Sequence, residues 1–301
     1  MLTLRMSRSV SIVGAGRVGR NLGRRLRRLG WRIEAIIARS ASNAKSAAGF
    51  IGAGKPSAQL TRGILRADVI LLTVPDGALS AVARSLAKID PKSWRGKVVL
   101  HTNGALDRSI LEPLAKCGAQ TGSMHPMQTF SGRDDPKLAG IIFGVEGSAA
   151  ARRMATSIAR AFGGVPVAIS SASGRSKKIS YHAAAVLVAG LGLALVEGAT
   201  QVLLSIGFER RRAQQALLPL MRQVLGNFEK HGAQETWTGP ISRKDYGTVA
   251  LHVGALRKQS PELQETYRAL ARLSARVLAE NPEAMLKDLN RVLGKSRRKS
   301  K

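Results

Sequence analysis

The segment Val10-Ser11-Ile12-Val13-Gly14-Ala15-Gly16-Arg17-Val18-Gly19 runs from a short apolar strand through a GxGxxG turn into an arginine-rich helix, Arg17 to Leu29. Each glycine has its own task in such a turn. Gly14 permits a tight reversal, Gly16 lets the main chain approach a pyrophosphate, and Gly19 lets the helix pack closely on the strand. The helix start then offers N–H groups and the positive end of its dipole to the phosphates. The same string also fits a glycine-rich turn without a ligand, but a strand before it and a helix after it favour dinucleotide binding. Gly14, Gly16, Arg17, Val18 and Gly19 are therefore candidate cofactor-binding residues.

Cofactor preference in such a site is set about 20 residues further on, where an acid would accept hydrogen bonds from the adenosine ribose. The second strand, Arg32 to Ala38, ends instead in Arg39-Ser40-Ala41-Ser42, with Lys45 one turn beyond. Arg39 can stack on adenine and pair with a 2′-phosphate while Ser40 donates a hydrogen bond, so NADP is favoured over NAD. The alternative is a solvated arginine in a basic protein.

The chain has 301 residues, enough for two domains, and a single cysteine, Cys117, which excludes an intramolecular disulfide and fits a reducing cytoplasm. No apolar segment of signal-peptide type precedes the first strand, so a cytoplasmic location is expected. The longest apolar run, Ala183 to Val196, is interrupted by Gly190 and Gly192 and stops at Glu197. It is short of a bilayer span and reads as a buried helix, not a membrane segment. The formal charge of +29 draws phosphorylated cofactors and, unselectively, nucleic acid. With 4% aromatic residues and no recognition motif, no specific nucleic-acid binding is expected. Metal binding is not expected either, since the histidines and the cysteine lack ligand spacing.

Further along, strands and helices alternate: strands at Val69 to Val74, Lys97 to His101, Gln120 to Ser123, Ile141 to Val145 and Val165 to Ile169. The segments between them, Leu79 to Ala87, Arg108 to Cys117 and Ala149 to Phe162, have helical periodicity. This is an α/β pattern, a Rossmann-type doubly wound, mostly parallel sheet over residues 1–170. A small, polar stretch at 171–177 reads as a hinge. Beyond it an all-α domain, 178–293, comprises helices Lys178 to Ile206, Glu209 to His231, Asp245 to Gln259 and Pro261 to Leu278, with a shorter one after Asn281. Residues 294–301 form a basic tail.

Ligands of open α/β sheets lie beyond the carboxyl ends of the strands. There Val74 and Pro75 would run beside the cofactor's bridging phosphates, and Asn103 and His101 would reach the nicotinamide and its substrate. His125 follows the next strand. An imidazole can polarise a carbonyl during hydride transfer, although either histidine can equally just hydrogen-bond its loop. On the helix after the hinge, Lys178, His182, Ala185 and Ala189 share one face. Lys178 can donate a proton to a developing alkoxide; the structural alternative is a lysine capping the hinge beside a buried histidine. Asp245 is placed to cap the helix that follows it, and His252 reads as a packed residue.

The motifs Gly14 to Gly19, Val74-Pro75-Asp76, His101 to Ala105, His125 to Phe130, Tyr181 to Val186 and Thr238 to Ile241 together resemble the DUF2520 family, bacterial Rossmann-like proteins with a C-terminal helical domain of unknown function. Wider relatives are pyrroline-5-carboxylate reductases, β-hydroxyacid dehydrogenases, ketopantoate reductases and F420-dependent NADP reductases. The resemblance implies an NADP(H)-dependent oxidoreductase acting on a C=O or C=N carbon of a small molecule in an interdomain cleft, and a homodimer. In the hydroxyacid and ketopantoate relatives a lysine is followed four residues later by asparagine. Lys178 and His182 match that spacing, which makes Lys178 the expected proton donor and alters its partner. Asparagine is also usual in the family where Gly190 stands. Two competing readings remain: a non-catalytic, NADP(H)-responsive binding protein, and an F420-linked NADP reductase.

Overall fold

The computed structural model describes residues 8–131, 136–169 and 176–294, and the chain divides into two compact units, Met1–Ala189 and Gly190–Lys301. The first unit is built on one eight-stranded sheet. Its elements run β1 (Ser9–Val13), α1 (Arg17–Arg28), β2 (Arg32–Ile37), α2 (Ala41–Ile51), β3 (Lys55–Ser57), β4 (Val69–Leu72), α3 (Asp76–Ala87), β5 (Val98–His101), α4 (Glu112–Lys116), β6 (Gln120–Pro126), β7 (Ile142–Gly147), α5 (Ala149–Ala161), β8 (Val165–Ala168) and α6 (Ser176–Val186).

The strand order is β3-β2-β1-β4-β5-β6-β7-β8, and all pairs are parallel except β6 with β7. The doubly wound, mostly parallel sheet read from the sequence is what forms, with the strand order reversing between β1 and β4. Continuous apolar strands such as Val69–Leu72, buried throughout, separate two cores, one on each face of the sheet. Three features depart from the sequence reading. A helix and a strand, α2 and β3, follow β2. The cap of α2 is visible in retrospect, because Ser40 Oγ accepts from Asn43 N and Gly52 closes the helix at φ +79°. Strand β6 continues to Pro126, so His125 lies within a strand and not in the loop beyond it.

The second unit is helical: α7 (Gly192–Ser205), α8 (Arg210–Thr236), α9 (Tyr246–Arg257), α10 (Pro261–Leu278) and α11 (Pro282–Leu293). Val249, Val253, Ala271, Ala275, Met285, Leu289 and Leu293 form its core. Asp245 caps α9 as expected, accepting from Thr248 N, and α8 leaves helical geometry at Gly232, next to its expected end. His252 is exposed and bonds the Tyr267 hydroxyl at 3.0 Å.

The expected single helix from Lys178 to Ile206 is interrupted by a π-helical turn, Leu187–Leu191. The boundary between the units falls inside that turn, so Lys178 to Ala189 group with the sheet and not with the helical unit, in contrast to the expected boundary. The 171–177 hinge lies outside the described residues except for its last two, and the basic tail lies outside from 295 onward. The reading of Ala183 to Val196 as a buried helix is corrected: Leu187, Val188, Leu191 and Leu193 are 54 to 80% exposed. The helix Lys177–Ser205 is, by length and composition, long and apolar enough to cross a membrane.

The β1–α1 turn is pressed against the end of β4. Gly14 takes φ +95°, and a Cβ there would lie 2.6 Å from Val74 N. A Cβ on Gly19 would meet Thr73 Oγ1 at 2.4 Å and Gly14 O at 2.6 Å, whereas Gly16 has open space around it. Gly19→Ala should therefore cost about 1–3 kcal/mol in urea unfolding, through overpacking. Gly16→Ser, which keeps a good helix-capping residue, should stay within about 0.5 kcal/mol of the parent. Equal losses at the two sites would contradict this account of the turn.

Candidate cofactor and active site

A cavity of about 860 Å³ lies in the first unit, along the carboxyl edge of the sheet. One end is the glycine turn. Gly14 N and Ala15 N are spent on Ile37 O, at 2.9 and 3.1 Å, which ties the turn to β2. Thr73 Oγ1 donates to Gly14 O at 2.6 Å and ties it to β4. Helix α1 then begins at Gly16 with no side-chain cap and no acid in its first turn, so its leading amides face the cavity without a built-in acceptor. Gly14, Gly16, Arg17, Val18, Val74 and Pro75 all line this end. Gly19 is buried behind it, where α1 packs on β1 and on Thr73 just past β4.

Beyond β2 the wall carries Arg39, Arg20, Asn43 and Ser46. The guanidinium of Arg20 is held over Phe50 at 4.9 Å, and Arg39 is the more exposed of the two cations. Ser40 is not among the lining residues; its hydroxyl caps α2 and contacts Ser42 Oγ at 3.0 Å.

The other end gathers Asn103, Gly104, His125 and His182. The His125 and His182 rings meet edge to face, with centroids 5.6 Å apart, and Tyr181 Oη lies 3.2 Å from His125 Nδ1. Gly104 fits flat on both rings. A Cβ on it would approach His182 Cδ2 to 2.5 Å and His125 Nε2 to 2.8 Å. Burial first, and then the proximity of His182 and Lys178, lower the His125 pKa to about 4. His125 is therefore neutral at neutral pH.

His101 and Lys178 are placed differently. Neither is among the lining residues. His101 is fully buried, with Nδ1 accepting from Asn103 N at 3.2 Å and Nε2 facing Asp107 O at 3.3 Å. That pattern requires the neutral ring with its proton on Nε2. Burial first, and then the Lys178 charge, lower its pKa to about 3. It is the loop-bonding histidine that the sequence left open as an alternative. Lys178 is 4% exposed; its ammonium donates to Ser123 Oγ at 2.7 Å and to Leu106 O, and stands 3.6 Å from Glu146 Oε2. Burial lowers its pKa to about 8, against the opposing pull of Glu146.

Glu146, Ser123 and Tyr181 had been given no role from the sequence. The one available signal was Glu146 itself, an acid inside the otherwise uncharged strand Ile142–Gly147. Among the described residues, no group of three or more His, Cys, Asp or Glu side chains could hold a metal ion.

Residues 3–126 match the model of the Rossmann-like domain and residues 141–274 that of DUF2520, a domain of unknown function. The chain thus joins a Rossmann-like domain to a DUF2520 domain. Similar solved structures include protein TM1727 from Thermotoga maritima, at TM-score 0.71 and 24% identity, covering 88% of this chain and 97% of that one. A reductive aminase from Aspergillus terreus, in complex with NADPH and ethyl-5-oxohexanoate, matches at TM-score 0.67 and 18% identity over 94% and 99%. A pyrroline-5-carboxylate reductase from Coxiella burnetii matches at 0.59 and 16% over 96% and 100%. At these identities the likeness is one of fold. No curated protein matches the chain.

His101 and the partly buried His125 make stability depend on pH. Their folded pKa values lie below the ordinary 6.5, so the unfolded chain takes up protons first and stability is lost as pH falls below 6.5. Between pH 7 and pH 5 each should remove about 2 kcal/mol from the unfolding free energy. Urea unfolding at the two pH values measures it. His101→Gln should halve the difference, and an unchanged difference would contradict a buried neutral His101.

Proposed function

We propose that the chain is an NADP(H)-dependent oxidoreductase that moves a hydride between the nicotinamide and a C=O or C=N carbon of a small molecule. The observation that carries this reading is the cavity itself, which joins a pyrophosphate-type turn and a pair of cations at one end to two imidazoles at the other. The residues suit the dinucleotide. The α1 amides at Arg17 and Val18 would take the pyrophosphate, the space beside Gly16 leaves it room, and Arg39 with Arg20 would take the 2′-phosphate. When bound, the cofactor supplies or accepts the hydride. The similar reductive aminase fold is complexed with NADPH, which supports the same use of this cavity.

The proton chemistry is assigned to His125 and His182, because they line the cavity and Lys178 does not. Tyr181 Oη lies 3.2 Å from Nδ1 and 3.5 Å from His125 O; in the tautomer whose Nδ1 accepts from that hydroxyl, neutral His125 keeps its proton on Nε2 and can polarise a reacting oxygen or nitrogen by donating to it. His182, in edge contact with that ring, completes the pair.

The test begins with calorimetric titration of NADPH and NADH, followed by a screen of carbonyl and imine compounds for NADPH oxidation. Arg39→Asp should weaken NADPH about 10- to 100-fold and leave NADH nearly unchanged, the loss of one phosphate-paired guanidinium. His182→Ala should keep NADPH affinity and lower turnover at least about 100-fold. Unchanged turnover, or equal affinity of the parent for both coenzymes, would contradict the respective assignment.

A homodimer is part of the same proposal. Leu193, Leu220, Leu225 and Phe228 on α7 and α8 are 55 to 70% exposed, more apolar surface than a monomer usually shows. Light scattering should give twice the chain mass, and Leu193→Glu combined with Phe228→Glu should give a folded monomer. A monomeric parent chain would contradict it.

A further inference from the structure

We propose that Lys178 and Glu146 form a buried clamp whose task is to hold the 102–107 loop, and through Gly104 the His125–His182 pair, in place at the cavity. The proposal rests on the reading of those two imidazoles as the reacting end.

Four segments converge on the ion pair. Lys178 comes from α6 and Glu146 from β7. The ammonium donates to Ser123 Oγ of β6 at 2.7 Å and to Leu106 O of the loop, and pairs with Glu146 Oε2 at 3.6 Å. The other carboxylate oxygen accepts from Arg108 N at 3.3 Å, just past the loop. The pair therefore grips the loop at both Leu106 and Arg108. Within the loop, Asn103 Oδ1 accepts from Ala105 N and Leu106 N, and His101 spans Asn103 N to Asp107 O. The result is a loop with no slack, whose Gly104 lies flat on both imidazoles.

Stability alone gives a weak reason for this arrangement. Both side chains are about 4% exposed, and a buried ion pair often contributes no more to stability than apolar residues of similar volume. Removing one partner, by contrast, strands a buried charge. What apolar replacements cannot supply is the directional grip on Leu106 O and Arg108 N. Neither charged group lines the cavity, so Lys178 is a positioning residue, acting on the chemistry through Gly104.

The decisive variant removes both charges, Lys178→Met with Glu146→Leu, and is compared in the full-length chain with the parent, Lys178→Met alone and Lys178→Arg. Three readouts are taken: thermal unfolding, calorimetric NADPH affinity, and histidine ring resonances through a pH titration. Turnover of any compound found in the screen is added.

The double variant should melt within a few degrees of the parent and bind NADPH within about threefold. Its His125 resonance should titrate nearer the ordinary histidine range, and kcat should fall at least tenfold with little change in KM. Lys178→Arg should restore most of the parent resonance pattern. Parent-like histidine resonances in the folded double variant would overturn the clamp. Parent-like resonances together with lost turnover would mark Lys178 as a direct proton donor instead. If the single variant fails to fold, the double variant still decides. If the parent binds no NADPH, the cofactor reading fails, while the resonance comparison continues to test the clamp.

Discussion

The contact on which the molecule depends is the close approach of the β1–α1 turn to the end of β4. Thr73 holds Gly14 by a 2.6 Å hydrogen bond, and the Gly14 and Gly19 backbones leave no room there for a side chain. Because this contact consumes the flat faces of those two glycines, Gly16 and the first amides of α1 are turned outward, into the cavity. A rigid backbone at this point costs no reorganisation when a phosphate arrives. The chain's high positive charge then adds attraction without having to supply the geometry.

At the opposite end the same economy is achieved by burial. The four side chains expected to do chemistry separate into two pairs with different duties. His125 and His182 face the cavity, while His101 and Lys178 sit beneath it and tie the loop that covers the imidazoles. Desolvation keeps His101 and His125 neutral, so each ring has one donating and one accepting nitrogen. The buried Lys178 ammonium and Glu146 carboxylate serve each other as counter-ions.

Much of this was legible in the residues. The glycine spacing, the absence of an acid after β2, the alternation of strands and helices, and the cap at Asp245 all follow from local chemistry and are where the structure places them. The division of labour among the histidines and Lys178 was not. Lys178 and His182 lie one helical turn apart and share a face, yet one is drawn under the loop by Glu146 and the other reaches the cavity. Nothing within α6 distinguishes them; the difference comes from β7, more than thirty residues away. The antiparallel turn of β7 and the extension of β6 through His125 likewise depend on pairing between strands, which local periodicity does not encode. The exposed apolar helix has the same origin, since a hydrophobic run does not say whether its own chain or another surface will cover it.

The most direct measurement is a crystal structure of the chain grown with NADPH. The account requires the pyrophosphate on the main-chain amides at Arg17 and Val18, the 2′-phosphate on Arg39, and the nicotinamide ring at the His125–His182 end of the same cavity. Density for NADPH elsewhere, or a cavity left without cofactor at saturating concentration, would contradict it.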